Sequence, residues 1–500
     1  MSNSGSQYRN FGLVGAGPVG IFLSYLLIQK GHKVTLYEAG NTQSETRNLN
    51  LSHYIFKTKS KIPSGVHQVG GGSNLWKRRV SEFSAEVFNR NDSSEKRIWP
   101  IDFHELENAN EKLFSLLDKS GFRDNKFLDS YLDEVGDGIG QIFNLNLFRF
   151  CEENYFVNLL TELEDANGFK LVTGTLVSEI RLPEKSKFDE NRVELVVLKE
   201  NSDFPSSIFH SDVVLTGGCM QSTALVLKSR DVIDRHPFPK NIGKFLMEHF
   251  DGYVGTVRIK RKNQQILKNL VLDEDRRVPG RDFGLGISSP SKLGNGENEI
   301  AYHLELVKWR KTYLFDPNLN VFNGLPKSIY RLCFLAERVL KKIPSELRNI
   351  TFRLSGTEIY SAWLKGEELP YRGSELKIST DSDPRNVKLI YNHKVSKESK
   401  ILVRRKLREF STYLKENNLG RFRIHFYFNF NKLFYTGPNF HPMGSLRMGS
   451  DPEESVVGPD FALRGSSNVY AVNSGIFPNG SNHNPTAMVL ALSLVFASKF

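Results

Sequence analysis

"FGLVGAGPVGIFLSYLLIQKGHKVTLYEAG", residues 11–40, decides how this chain is read. Gly12-Leu13-Val14 closes a short apolar strand, and Gly15, Gly17 and Gly20 follow as GxGxxG. An apolar helix, Ile21 to Gln29, stops at Gly31, and a second strand, Lys33 to Tyr37, ends in Glu38. Gly15 permits the tight turn, Gly17 lets backbone approach a pyrophosphate, and Gly20 lets helix and strand pack closely. With Pro18 in the loop, the helix N-terminus offers unpaired N–H groups and about half a positive charge to a phosphate. Glu38 stands twenty-three residues after Gly15, where a carboxylate accepts from a ribose hydroxyl. An acid there favours an unphosphorylated ribose, as in NAD or FAD. The alternative is a glycine-rich turn in an unrelated α/β unit, which leaves the strand, helix and acid as coincidences.

Two later stretches read as returns to the same sheet. "FKLVTGTLVSEIRL" (169–182) is strand, turn, strand, with Val177 where a strand would flank an adenine. "HSDVVLTGGCMQSTALVLKSR" (210–230) has the strand Val213 to Leu215, then Gly217-Gly218, then a short apolar helix. Glycines at that point mark backbone close to a cofactor or to another element. Between 251 and 440 the pattern changes to strand-like runs such as "YVGTVRIK" and "EIAYHLELV", with "SKILVRRKLREFSTYLKEN" as an amphipathic helix.

The 500 residues allow two or three domains, and no run of eighteen apolar residues suggests a membrane span. The start lacks the basic and apolar regions of a secretory signal, so a cytoplasmic protein is expected. Cys151, Cys219 and Cys333 are scattered and odd in number, against a disulfide framework or a zinc site, and no metal is expected. The net charge of +11 is spread over short clusters, including "KRK" at 260–262 and "RRK" at 404–406. No nucleic-acid-binding module is visible, so nucleic acid is not an expected partner. "LPKSIYRLCFLAERVLKKIP" (325–344) has helical apolar spacing with basic residues elsewhere. Packing on its own domain is the expected use, and an interfacial helix on anionic lipid is the alternative.

The C-terminal part offers polar groups for chemistry: His441 in "FHPMGSLRMG" and His483 and Asn484 in "NGSNHNPTAMV". Pro485 suits the first turn of a helix and Asn484 the cap before it, so helix capping alone would explain Asn484. The apolar run from Thr486 to Phe496 makes that helix buried, with its N–H groups aimed at an electron-rich target. Oxidising an alcohol needs a base for the hydroxyl proton, and neutral histidine suits that task.

Taken in order, "GAGPVG…EAG", "VGGGSNLWKRR" (69–79), "WPIDFHEL" (99–106), "VVLTGGCMQST" (213–223), "IGKFLMEHFDG" (242–252), "FHPMGSLRMG", "VYAVNSGIFP" and "NPT" resemble the GMC (glucose–methanol–choline) flavoprotein oxidoreductases. The resemblance runs through nearly the whole chain and looks nearest to the pyranose oxidase and sugar dehydrogenase branch. It implies an α/β fold: a Rossmann-like FAD-binding domain from discontinuous segments (1–105, 169–250 and 440–500), and an α+β substrate domain with an antiparallel sheet (106–168 and 251–439). It implies FAD as cofactor, His441 as base and Asn484 as the group orienting the hydroxyl. Gly71, Gly72, Ser73 and Asn74 would lie along the flavin, with Asn473, Ser474, Pro485 and Thr486 also at the cofactor. His483 matches no motif position.

Three departures matter. Asn473 stands where relatives usually carry aspartate, and Gly475 replaces a serine, which puts one cofactor hydrogen bond in question. Leu75 stands where pyranose oxidase carries the histidine bonded to the flavin, so noncovalent FAD is expected. Lys77, Arg78 and Arg79 read as solvated charges; the alternative is that one of them meets an anionic substrate group. The expected reaction is hydride transfer from an alcohol carbon, of a sugar or polyol, to flavin N5. The rival readings are a flavin mutase or monooxygenase, and a non-catalytic flavin-bound protein at a membrane surface.

Overall fold

The computed structural model describes residues 8–42, 54–56, 67–74, 76, 78–83, 85–88, 99–117, 131, 142–183, 192–199, 202, 204–260, 263, 270–273, 275–281, 283–289, 300–308, 332, 335, 357–379, 388–424 and 441–500. Along the chain run β1 (Asn10–Val14), α1 (Pro18–Gln29), β2 (Lys33–Tyr37), β3 (Arg79–Val80), α2 (Phe103–Leu117), β4 (Asn144–Phe150), α3 (Tyr155–Glu164), β5 (Phe169–Val172), β6 (Asp212–Leu215), α4 (Gly218–Lys228), β7 (His249–Lys260), β8 (Phe283–Ser288), β9 (Tyr302–Lys308), β10 (Thr357–Glu367), α5 (Lys397–Glu416), β11 (Gly420–Ile424), β12 (Val469–Ala471) and α6 (Pro485–Ser498).

Two sheets dominate this mixed α/β chain. One is a parallel sheet of five strands in the order β12-β6-β1-β2-β5, with Leu13 opposite both Val214 and Leu36. Its strands are short and apolar, as strands covered on both faces must be. The helix α6 explains its own position: Ala487 to Ala497 is buried throughout, so the helix lies inside the molecule against α1 and α2. Each leucine buried there contributes roughly 1.5–3 kcal/mol. Of the stretch 106–168, α2 and α3 bury Leu113, Phe114, Phe156 and Leu163 in the core of this parallel layer, while β4 lies in the other sheet. The stretch 169–182 divides: β5 edges the parallel sheet, and Thr175–Arg181 begins a separate antiparallel sheet of three strands.

The second sheet has eight strands, and β11-β7-β10-β9-β8-β4-β3 form its path. Its alternation is unusual in outcome. One face carries Phe250, Val257, Leu364, Ala362, Leu304 and Leu285, in one cluster with Leu402, Leu407 and Phe410 of α5. The helix α5 begins where Ser396 caps it, its Oγ accepting from the Ser399 N–H at 2.9 Å. The other face carries His249 and Asp251 on β7, Lys365 and Glu367 on β10, and His303 and Glu305 on β9, and these too are buried or nearly so. An antiparallel sheet ordinarily gives its polar face to water. Here that face turns inward, and the 441–442 turn and the 481–484 segment lie on it. The helix expected at 325–344 falls outside the described residues except Leu332 and Leu335, which are exposed. Among the described residues no helix is long and apolar enough to cross a membrane.

Candidate active site

The first half of the site is a meeting of glycine turns. Gly15, at φ +109°, passes so close to the turn after β6 that a Cβ on it would lie 2.4 Å from Gly217 Cα. The Val69–Asn74 loop settles on top: the Gly70 N–H donates to Ala16 O at 2.8 Å, and a Cβ on Gly71 would lie 3.0 Å from Gly17 Cα. Gly15, Gly17, Gly71 and Gly217 are thus brought together at the N-terminus of α1. Gly17 takes the cap position there with no side-chain cap, Pro18 opens the helix, and a Cβ on Gly17 or Gly72 would meet nothing within 4 Å. That open space beside uncapped N–H groups fits the phosphates of a dinucleotide. Gly17→Val is expected to fold normally yet fill this space. The flavin-to-protein ratio of the purified variant checks it: a marked fall is expected, and a full complement would refute the cradle.

Glu38 is buried, with one oxygen accepting from the Ala16 N–H at 3.0 Å and the other from the Gly40 N–H at 2.9 Å. Burial raises its pKa, and these backbone donors pull it back. Its carboxylate thereby latches the glycine loop while keeping lone pairs for a ribose hydroxyl. Val177 is buried close by, on the strand whose Thr175 N–H donates to Glu38 O at 2.9 Å. Ser73 and Asn74 instead close their own turn, bonding Gly70 O at 2.6 Å and Val69 O at 2.9 Å. Leu75 lies outside the described residues.

The departure at Asn473 has a structural reason. Its Nδ2 donates to Leu215 O at 2.9 Å and its Oδ1 accepts from the Gly475 N–H at 2.8 Å, tying the end of β6 to the Ser474–Ile476 turn. An aspartate could not make the first bond. A Cβ on Gly475 would stand 2.7 Å from Asn473 Oδ1, which accounts for the missing serine.

The second half of the site is built on the polar sheet face. Ser474 Oγ donates to Pro442 O at 2.8 Å, so the Asn473–Ile476 turn holds the His441-Pro442 turn. The His441 backbone N–H donates to Glu248 at 3.1 Å, and its Nδ1 lies 2.7 Å from His249 Nε2. Burial, with the positive fields of Lys365 and Arg79, lowers the His441 pKa to about 3. Asn484 takes the cap position before Pro485, but its side chain makes no capping bond to α6. Backbone geometry makes Asn484 a cap; its amide is left for other work. Thr486 remains partly exposed beside it, and Pro485 is buried.

Asn482 anchors this segment, donating to His303 Nδ1 at 2.8 Å and to Asn146 Oδ1 at 3.0 Å. His483 is buried with its ring 5.5 Å from that of His303, and its Nδ1 has no partner among the described residues. The expectation of solvated charge at 77–79 fails at Arg79. Its guanidinium is buried on Glu305 at 2.5 Å and over the Phe148 ring at 3.3 Å, because the strand alternation turns it inward. Arg276 meets the same carboxylate at 3.2 Å. These two cations hold Glu305 well below the usual carboxylate range despite its burial. Arg78 is partly exposed, 3.8 Å from Glu153, and Lys77 lies outside the described residues.

Burial also holds His249, His303 and His483 below the ordinary histidine value, so this cluster is neutral at pH 7. The unfolded chain takes up protons first as pH falls. The stability at stake is therefore complete above about pH 6.5 and drains toward pH 3 for His441. Its loss is up to about 1.4 kcal/mol per pH unit for each group. Urea midpoints at pH 7 and pH 5 check the sign: the value at pH 5 is expected to be clearly lower, and equal midpoints would refute neutral buried imidazoles.

His249, Arg79's buried pairing with Glu305, Arg276, His303, Lys365 and Asn482 were not picked out from sequence. For Arg79, His249, His303 and Lys365 the signal was the two-residue alternation of polar groups in strands; Arg276 and Asn482 lie outside strands and carried no such signal.

Residues 372–493 match the GMC oxidoreductase family model. No curated protein sequence matches the chain. Among solved structures, pyridoxine 4-oxidase from Mesorbium loti is similar over 98% of this chain and 99% of its own, with TM-score 0.54 and 16% identity. At that identity the likeness speaks for the fold.

Proposed function

We propose that this chain, a GMC-type, FAD-dependent oxidoreductase by its C-terminal domain, oxidises a small polyhydroxylated alcohol of the sugar or polyol class. The glycine cradle, Glu38 and Val177 belong to the Rossmann-like half that would hold FAD without a covalent bond, and the uncapped N-terminus of α6 adds fixed N–H groups. When bound, FAD supplies the acceptor for the hydride leaving the carbinol carbon. The chain's own residues do the rest. His441 takes the hydroxyl proton, and the free amide of Asn484 orients the oxygen.

The observation carrying the substrate class is the inward polar face. His483 Nδ1, beside His303, and Trp363 Nε1 on the neighbouring strand are buried there without hydrogen-bond partners among the described residues. Such groups cost about 1–3 kcal/mol each unless water or a ligand pairs them. A substrate with several hydroxyls pairs them; a hydrocarbon chain does not. The cations of this face already rest on carboxylates of the chain, Arg79 and Arg276 sharing Glu305 and Lys365 on Asp251, which favours a neutral substrate over an anionic one.

An anaerobic panel of sugars, polyols, sugar acids, pyridoxine and long-chain primary alcohols tests this reading. Loss of oxidised-flavin absorbance is expected with neutral polyhydroxylated compounds. Bleaching by the apolar alcohols alone, or by the acids alone, would overturn the substrate class. Readmitting oxygen then separates oxidase from dehydrogenase.

A further inference from the structure

We propose that His249 is a positioning residue for the base: it accepts the Nδ1–H of His441, leaving His441 Nε2 as the free acceptor for the substrate proton. This rests on the reading of His441 as the base. The two imidazoles meet at 2.7 Å, Nε2 to Nδ1, with their rings at 85°. One proton lies in that contact, and its owner decides whether His441 works. If His249 Nε2 carried it, His441 Nδ1 would accept, and the neutral ring would hold its own proton on Nε2, where the substrate's must go. If His441 Nδ1 carries it, Nε2 is an open lone pair.

Consecutive residues fix the base by two independent bonds. Glu248 takes its backbone N–H at 3.1 Å, and His249 takes its ring. Glu248 is itself braced: its own N–H donates to Glu368 at 2.9 Å, and Tyr391 donates to its other oxygen at 3.4 Å. The remaining charged groups around the pair are Lys365 with Asp251, Arg79 with Glu305, and His303. The cations oppose a charged imidazole, so His441 alone would hold an accepted proton poorly. A neutral imidazole in line relieves this: as the substrate O–H proton bonds to His441 Nε2, the Nδ1–H···Nε2 bond to His249 becomes charge-assisted and strengthens. The proton count balances, one proton leaving the substrate oxygen and one positive charge spread over the two rings.

The test uses holoenzyme, His249→Phe and His249→Gln, each with flavin content and thermal midpoint measured. Nitrogen NMR of histidine-labelled holoenzyme is expected to show Nδ1 of His441 protonated and Nε2 unprotonated at pH 7. The reverse assignment would overturn the proposal without reference to activity. His249→Phe is expected to lower kcat for flavin reduction about 10–100-fold, with KM little changed and a rate that rises with pH as hydroxide replaces the lost base strength. His249→Gln, whose side-chain oxygen accepts the same N–H, is expected to recover most of the rate. Equal losses in both variants, or no loss in His249→Phe, would overturn it. Full activity in His441→Ala would instead remove the underlying reading of the base.

Discussion

His441→Ala is expected to lower the rate of anaerobic flavin reduction by about 10²–10⁴-fold, the range removed with a positioned general base, while the protein stays yellow. Both halves of the expectation come from the structure. The imidazole meets His249 through its ring, while the turn that carries it is held by backbone bonds: the His441 N–H on Glu248, and Ser474 Oγ on Pro442 O. Truncating the ring leaves those bonds and the glycine cradle intact. The low pKa of about 3 also fixes the shape of the pH profile. The ring is deprotonated throughout pH 5–8, so flavin reduction in the native enzyme is expected to show no acid limb near pH 6.5. Stopped-flow reduction of native and variant protein with the best substrate checks both points, and unchanged reduction by the alanine variant would remove His441 from the mechanism.

Glu305→Ala is expected to cost about 3–5 kcal/mol of stability, the penalty for breaking a buried ion pair by removing one partner. The size follows from what remains. Arg79 and Arg276 both rest on this carboxylate, Arg79 buried over Phe148 and Arg276 half-buried over Trp363. Without Glu305 the buried Arg79 guanidinium loses its counter-charge and keeps the like charge of the half-buried Arg276 nearby. Glu305→Gln keeps an acceptor but no charge and should fall between. Combining Glu305→Ala with Arg79→Met should recover part of the loss, because one uncompensated charge is gone. Urea unfolding of the four proteins checks this order, and a Glu305→Ala midpoint equal to that of native protein would show the triad to be hydrated.

The legible and the hidden parts of this molecule divide by what a local pattern carries. The 11–40 unit was readable because its glycines, helix and acid depend on neighbours in sequence; the structure starts α1 at Pro18 rather than Ile21 and otherwise keeps the order. The contact of Gly15 with Gly217 is a packing fact, and only the glycines themselves hinted at it. Asn484 shows a different limit. Sequence marks it as a helix cap, but whether its amide bonds to the helix is decided by the rotamer. The polar sheet face was the largest omission. "HFDGY" at 249–253 and "SAWLKGE" at 361–367 alternate as half-buried strands do, and alternation makes the polar face the natural side for water. Nothing local says that the 441–442 turn and the 481–484 segment cover it. Arg79 was misread for the same reason, since charge clusters usually lie on the surface.

The central claim is that a carbinol hydrogen leaves substrate in the step that bleaches the flavin, with His441 taking the hydroxyl proton. Single-turnover anaerobic reduction with a polyol deuterated at the oxidised carbon tests it most directly. Slower bleaching with the deuterated substrate is expected, and bleaching at an unchanged rate, or none with any alcohol, would contradict the account.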